Sequence, residues 1–221
     1  DSLVLLCGAG LSMAAPSNVP SAWRVAQNCA ERFRQMTGTA LPDGLSDNIE
    51  LLAEHFFGRN ELQNVLLGQL IDWSEFSRGP SNKGHDAVAD FLAARLLAVA
   101  LSTNLDTLIE KSASTLGEPD FYPWVEAEDI NRGHRFHSPL VKLHGCALRT
   151  RWETLWCKQQ MEEQPLKDRI QQLAAWVRGH FPNRDLLVVG FWTDWGYLNQ
   201  ILSDSVVSTE PRSVIVVDPS S

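Results

Sequence analysis

The four cysteines of this chain (Cys7, Cys29, Cys146, Cys157) include no C-x-x-C pair. That speaks against a zinc ribbon and against a disulfide framework, and fits a reduced, cytoplasmic setting. A basic excess is missing too: 19 Lys and Arg stand against 27 Asp and Glu, for a net charge of −8, and no basic run interrupts that balance. A surface for duplex nucleic acid needs such an excess, so direct nucleic-acid binding is not expected. A small anionic ligand stays open, because a few backbone N–H groups can bind phosphate locally. No apolar stretch is long enough for a bilayer; the longest, Phe91–Leu101, is short and broken by Arg95. A basic n-region ahead of an apolar h-region is absent, so no signal peptide is expected. Internal repeats and low-complexity tracts are absent as well. What is present is a 221-residue chain, 44% hydrophobic and 21% charged, ample for a sizeable core.

Three apolar runs end abruptly in polar side chains. Leu3–Cys7 leads into Gly8-Ala9-Gly10-Leu11-Ser12, Ala98–Thr103 into Asn104-Leu105-Asp106, and Leu140–Leu143 into His144-Gly145-Cys146. Buried parallel strands look like this where they deliver residues to the carboxyl edge of a sheet, which is where open α/β sheets bind ligands. Leu186–Val189 and Val214–Val217 read as further strands. Helical spacing covers Trp23–Met36, Gly84–Leu96, Asp106–Leu116 and Gln164–Gly179, while Met13–Ser21 and Glu118–Ser138 read as loop. The alternation predicts an α/β fold: a Rossmann-like parallel sheet with helices on both faces. Residues 37–80 read as a small helical insert, with Ile49, Leu52, Phe56 and then Leu62, Leu66, Leu70 in register and Gly58-Arg59-Asn60 as a break. The chain starts just before one strand and stops just after another, so a domain excised from a longer polypeptide is expected.

Each strand end admits a chemical and a plain reading. Gly8, Ala9, Gly10 and Ser12 could let backbone approach a pyrophosphate, yet Met13 stands where G-x-G-x-x-G needs its third glycine, and a tight turn without ligand is the alternative. Asn104 could position a ribose hydroxyl or a water, and Asp106 a carboxamide or a developing cation; both residue types also cap helices. His144, followed by Gly145, is expected exposed at the sheet edge, where imidazole serves as general base; a lone histidine is otherwise structural. His134 and His137 read as solvated loop residues, and no metal site is expected. Gly190 and Thr193 could hold phosphate or ribose, and Asp218 could bind ribose hydroxyls, with an N-cap and a solvated strand end as the alternatives.

In order along the chain, these motifs resemble the sirtuin-type NAD-binding domain. The turn Gly8–Ser12 resembles the sirtuin opening, Pro20 with Trp23-Arg24 its Pro-x-Phe-Arg, Ser102-Thr103-Asn104-Leu105-Asp106 its Thr-Gln-Asn-x-Asp, and Lys142-Leu143-His144-Gly145 its Lys-x-His-Gly. Pro80 and His85 precede a helix as in sirtuins, and Gly190–Thr193 stands in the place of Gly-Thr-Ser. The departures are informative. Only Cys157 stands where sirtuin deacylases carry a four-cysteine zinc module, no Phe-Gly-Glu occurs between Cys146 and Gly190, the loop from Ser12 to Trp23 is longer, and Thr103 replaces the glutamine. In these respects the chain resembles the sirtuin-like NAD+ hydrolases of bacterial anti-phage defence. The resemblance implies NAD+ as substrate, no metal, His144 as base, Asn104 and Asp106 at the nicotinamide ribose and the carboxamide or developing cation, and Gly8, Ala9, Gly10 and Ser12 at the pyrophosphate and riboses. Trp23 would lie against the nicotinamide side, Thr193 and Asp218 would serve the adenosine end, and Arg24, Thr103 and Gly190 would also contact the dinucleotide. It also implies control by a sensor or regulatory domain or partner protein and assembly as a homo-oligomer. Protein deacylation and non-catalytic sensing of NAD+ or ADP-ribose are the rival expectations.

Overall fold

Alternation in the first strand, β1 (Leu3–Cys7), sorts its side chains onto two faces. The computed structural model describes residues 3–117, 121–132, 138–191, 199, 203 and 210–217. On one face Val4 and Leu6 join Val99, Leu101, Leu186 and Val188 beneath Leu166, Ile170, Leu173 and Val177. On the other, Leu5 and Cys7 join Ala100 and Leu140 beneath Val88, Leu92, Ile109 and Ala113. Each leucine or isoleucine so buried contributes about 1.5–3 kcal/mol. The strands are β1, β2 (Leu97–Ser102), β3 (Leu140–Lys142), β4 (Asp185–Val189) and β5 (Ser213–Val217), all parallel in the order β3-β2-β1-β4-β5. The helices are α1 (Ala9–Met13), α2 (Ala22–Thr37), α3 (Ile49–Gly58), α4 (Lys83–Ala93), α5 (Leu108–Thr115), α6 (Ala127–Arg132) and α7 (Gln164–Arg178). The fold is thus α/β and Rossmann-like, with α4 and α5 on one face and α7 on the other. Strand order runs outward from β1 in both directions, so the reversal point lies at the carboxyl ends of β1 and β4, where such sheets open a crevice.

Between α2 and α4 the chain is helical in short pieces. α3 is capped by Asn48, whose Oδ1 accepts from Glu50 N and Leu51 N. After a break at Arg59–Glu61 the segment Leu62–Leu70 winds widely, with Leu66 N donating to Glu61 O and Ile71 N to Leu66 O. Leu52, Phe56, Leu66 and Leu70 meet Ala26 and Cys29 of α2 in a core separate from the sheet, to which Leu105, Leu108 and Trp156 also belong.

Local pattern misled in three places. α4 stops at Ala93 rather than Leu96, because Arg95 takes a left-handed φ of 56° that turns the chain into β2. The run from Ala93 to Leu96 is composed of good helix formers, so nothing local announces the turn. The first residue of the expected Met13–Ser21 loop instead closes α1. Within the expected irregular stretch 118–138 stands α6, held because Asp129 Oδ2 accepts from Val125 N and Glu126 N while Arg149 pairs with the same carboxylate at 3.0 Å.

Candidate functional site

A cleft of about 770 Å³ opens at the carboxyl edge of β1, β2 and β3 and runs to the end of β5. Of the residues singled out in the sequence, Ala9, Gly10, Ser12, Trp23, Thr103, Asn104, Asp106, His144 and Gly190 line it. Gly8 lies behind it. Arg24 does not reach it: its guanidinium bonds Gln27, and it borders a separate open depression with Ser17, Asn28 and Arg78. Thr193, Asp218, His134 and His137 lie outside the described residues.

The glycines have a reason of their own. Gly10 N donates to Gly190 O at 2.7 Å, and a Cβ on Gly190 would stand 2.4 Å from Leu11 N. Gly190 also has a left-handed φ of 57°. Close approach of the β1 and β4 turns therefore requires glycine here whatever the ligand.

Ser12 is the hub of the sheet-side wall. Its hydroxyl donates to Asp106 Oδ2 at 2.7 Å and accepts from Asn104 Nδ2 at 2.9 Å. The third partner is His85 Nε2 at 3.0 Å. Because Asn82 N donates to His85 Nδ1, the neutral ring carries its proton on Nε2 and donates it to Ser12. Burial lowers the His85 pKa, against the pull of Asp106, and keeps that ring neutral. One donor and two acceptors exhaust a hydroxyl, so Ser12, expected at the pyrophosphate and only 1% exposed, instead holds the wall together.

Asn104 is oriented by that arrangement. Its Nδ2 also donates to Gly8 O at 3.0 Å, and a carbonyl can only accept, so the amide cannot be turned over. No bond within the described residues engages Oδ1, and the residue lines the cleft. The carboxylate of Asp106 is divided between Ser12 and Leu108 N, at the first residue of α5, at 3.1 Å.

His144 overturns one expectation: it lines the cleft but is 4% exposed, not open at the sheet edge. Leu155 N pairs with its carbonyl at 3.0 Å, which brings the returning chain against this strand end. Burial, with the Arg169 guanidinium adding to it, lowers its pKa to about 3, opposed by a hydrogen bond to the Thr103 backbone. A bond that favours the protonated ring is one in which a ring N–H donates to that carbonyl. The other nitrogen is then the acceptor of the neutral ring. The Cys7 thiol at the end of β1 is not activated, because burial pushes its pKa up to about 12.

Across the cleft the wall is different. Val19, Trp23, Val25, Ile49, Phe76 and Trp156 line it, from α2 and the loop before it, α3 and two distant segments, together with Asp47 and Glu50. Apart from Trp23, no motif pointed to these residues. They are apolar positions of a helical region whose approach to the sheet depends on tertiary packing. The described residues contain no cluster of three or more His, Cys, Asp or Glu that could hold a metal, and no helix among them is long and apolar enough to cross a membrane.

No protein-family model matches this chain, and no curated protein does. Among solved structures it is similar to a crystal structure of Sir2 in complex with the inhibitor EX-527, 2′-O-acetyl-ADP-ribose and deacetylated p53 peptide. The two share 12% identity over 96% of this chain and 80% of that one, with a TM-score of 0.44. The reading of the site therefore stands on its residues and geometry.

Proposed function

We propose that this domain binds NAD+ and hydrolyses the bond between nicotinamide and ribose, releasing nicotinamide and ADP-ribose. The observation that carries the reading is that Asn104 and His144, from different strand ends, line one cleft together with Gly10 and Gly190 at the reversal point of a parallel sheet. A cleft of about 770 Å³ is within the range that holds cofactor-sized ligands. The pyrophosphate would cross the Ala9-Gly10 and Gly190 turns, with adenosine toward Val216 and Val217 and nicotinamide toward Trp23 and Phe76.

In the reaction the C1′–N bond breaks and its electron pair returns to the pyridinium ring, which leaves neutral. Positive charge develops on the ribose. The Asp106 carboxylate, held in place by Ser12 and Leu108 N, favours that charge electrostatically. Asn104 Oδ1 accepts from a ribose hydroxyl or from the attacking water, and its fixed amide costs no reorganisation at that moment. His144, neutral across the physiological range, accepts the hydrogen bond of the hydroxyl or water and takes its proton as the new C–O bond forms. Restraint by a regulatory domain or partner, assembly as a homo-oligomer and a role as an NAD+-depleting effector in anti-phage defence belong to the same proposal.

The test is chromatography of NAD+ after incubation with the protein and no peptide. Free nicotinamide and ADP-ribose are expected, and His144→Ala or Asn104→Ala should cut the rate by about 10²-fold or more while leaving the domain folded. Turnover only with an acylated peptide would point to a deacylase, and binding without turnover to a sensor. Full activity in either folded variant would remove the role assigned to that residue.

A further inference from the structure

Lys142 closes the short apolar strand β3, between Val141 and Leu143, and is 1% exposed. Its ammonium makes two contacts. One is a short bond to the backbone carbonyl of Asp106; the other is to Glu110 Oε1, at 2.6 Å. The second carboxylate oxygen of Glu110 is buried and has no hydrogen-bond partner among the described residues, and Lys142 is the cation paired with that charge. Burial pulls the lysine pKa down, but Glu110 and the other groups around it together raise it above its usual value, so the ammonium stays charged, while burial pushes the Glu110 carboxyl up against the pull of Lys142.

Stability does not explain such a pair. A buried ion pair costs desolvation on both sides, and apolar residues of similar volume commonly serve as well or better. Its position does offer an explanation. Lys142 stands two residues before His144 on the same strand end. Lys142 holds the carbonyl of Asp106, and the His144 ring holds the backbone of Thr103. The two contacts straddle Asn104. A third tie, Ala147 N to Leu105 O at 2.9 Å, falls between them.

We propose that Lys142 is a positioning residue whose ammonium, clamped between Glu110 and the Asp106 carbonyl, sets the register of the Asn104-bearing segment against His144. This rests on the reading of Asn104 and His144 as the reacting pair. A displacement of about 1 Å between reacting groups can cost about 10²-fold in rate, so a clamp of this kind acts on turnover more than on binding.

The decisive variant is Lys142→Met combined with Glu110→Met, which removes both charges and leaves neither stranded. Thermal unfolding is expected close to wild type. For NAD+ cleavage kcat should fall about 10²-fold, while KM and the affinity for ADP-ribose, measured by calorimetry, change less than about threefold. Hydrogen exchange of the backbone at 103–108 should accelerate at least about tenfold, with α4 unchanged. Wild-type kcat in the folded double variant overturns the proposal. So does an equal loss of kcat and ADP-ribose affinity, which marks general damage to the cleft. Should the double variant not fold, Glu110→Asp keeps both charges but draws the ammonium off the carbonyl. Its kcat is then expected about fivefold lower, and an unchanged value overturns the clamp. Failure of the wild-type protein to cleave NAD+ would defeat the proposed function, and the exchange measurement would then decide alone: unchanged exchange at 103–108 overturns the clamp, and acceleration sustains it.

Discussion

The two walls of the cleft are built on opposite principles. On the sheet side, Ser12, Asn104, Asp106 and His85 form a polar network in which each partner is a particular atom of a particular residue. On the helical side, Val19, Val25, Ile49, Phe76 and Trp156 present apolar surface belonging to a continuous core, where shape and volume matter more than identity. A buried polar network is satisfied completely or becomes a liability, whereas an apolar wall tolerates exchange of one side chain for a similar one. The first wall should therefore be brittle and the second forgiving.

Ser12→Ala tests the brittle wall most severely. It deprives Asp106 Oδ2 and His85 Nε2 of a partner and leaves Asn104 only its bond to Gly8 O. Each buried group stranded in this way costs about 1–3 kcal/mol, so a total loss of about 2–6 kcal/mol is expected. Urea unfolding measures it, and Ile49→Val on the facing wall, at about 0.5–1.5 kcal/mol, provides the contrast. Equal losses at the two sites would abolish the distinction between the walls.

The same distinction explains what could be read in the sequence. The sheet edges were legible because each strand is an apolar run that stops at a polar residue, and because Asn104, Asp106 and His144 are residue types with specific chemistry at specific places. Burial of His144 was not legible. It depends on how the chain returns to pair Leu155 N with the His144 carbonyl, a tertiary event. Nor was the service of Ser12 to its own wall, since a hydroxyl beside two glycines looks the same whether it faces phosphate or carboxylate. Phe76 and Trp156 could not have been singled out as cleft residues, because any apolar side chain in their place fits the same sequence pattern. α6 was hidden for a similar reason: its anchor, Arg149 on Asp129, joins residues far apart in the chain.

Acid should weaken the sheet-side wall by a calculable amount. The folded pKa of His144 is lowered from 6.5 to about 3, so the unfolded state binds more protons between these values. The stability associated with a neutral, buried ring is complete above about pH 6.5 and is lost progressively as the pH falls toward 3. Linkage gives a loss of about 2 kcal/mol between pH 7.5 and pH 5 from this residue. His85, whose pKa is also lowered, adds to the loss in the same direction. Denaturant titrations at the two pH values should show it, and His144→Asn should show about 2 kcal/mol less. The same shift predicts a pH–rate profile for NAD+ cleavage with no acid limb near 6.5 belonging to His144. A limb there that vanishes in His144→Asn would mean the ring is far less buried in the working enzyme.

Trp23 offers the mildest perturbation, because it belongs to the forgiving wall yet is 51% exposed and touches the cleft. It stands in the first turn of α2, next to the Ser21 cap whose hydroxyl accepts from Arg24 N, so its backbone is fixed while its ring is largely solvated. Removing an exposed side chain from a capped helix should change stability by no more than about 0.5 kcal/mol. If the indole lies against the nicotinamide ring, stacking is worth about 0.5–1.5 kcal/mol, which is a two- to tenfold change in affinity. The contact is made equally in the ground state and in the transition state, since the ring that leaves is the ring that stacks. Trp23→Ala should therefore raise KM for NAD+ by about that factor and leave kcat nearly unchanged. Steady-state kinetics decide the matter: a fall in kcat with KM preserved would move Trp23 from the apolar wall to the reacting one, and no change in either would put the nicotinamide elsewhere in the cleft.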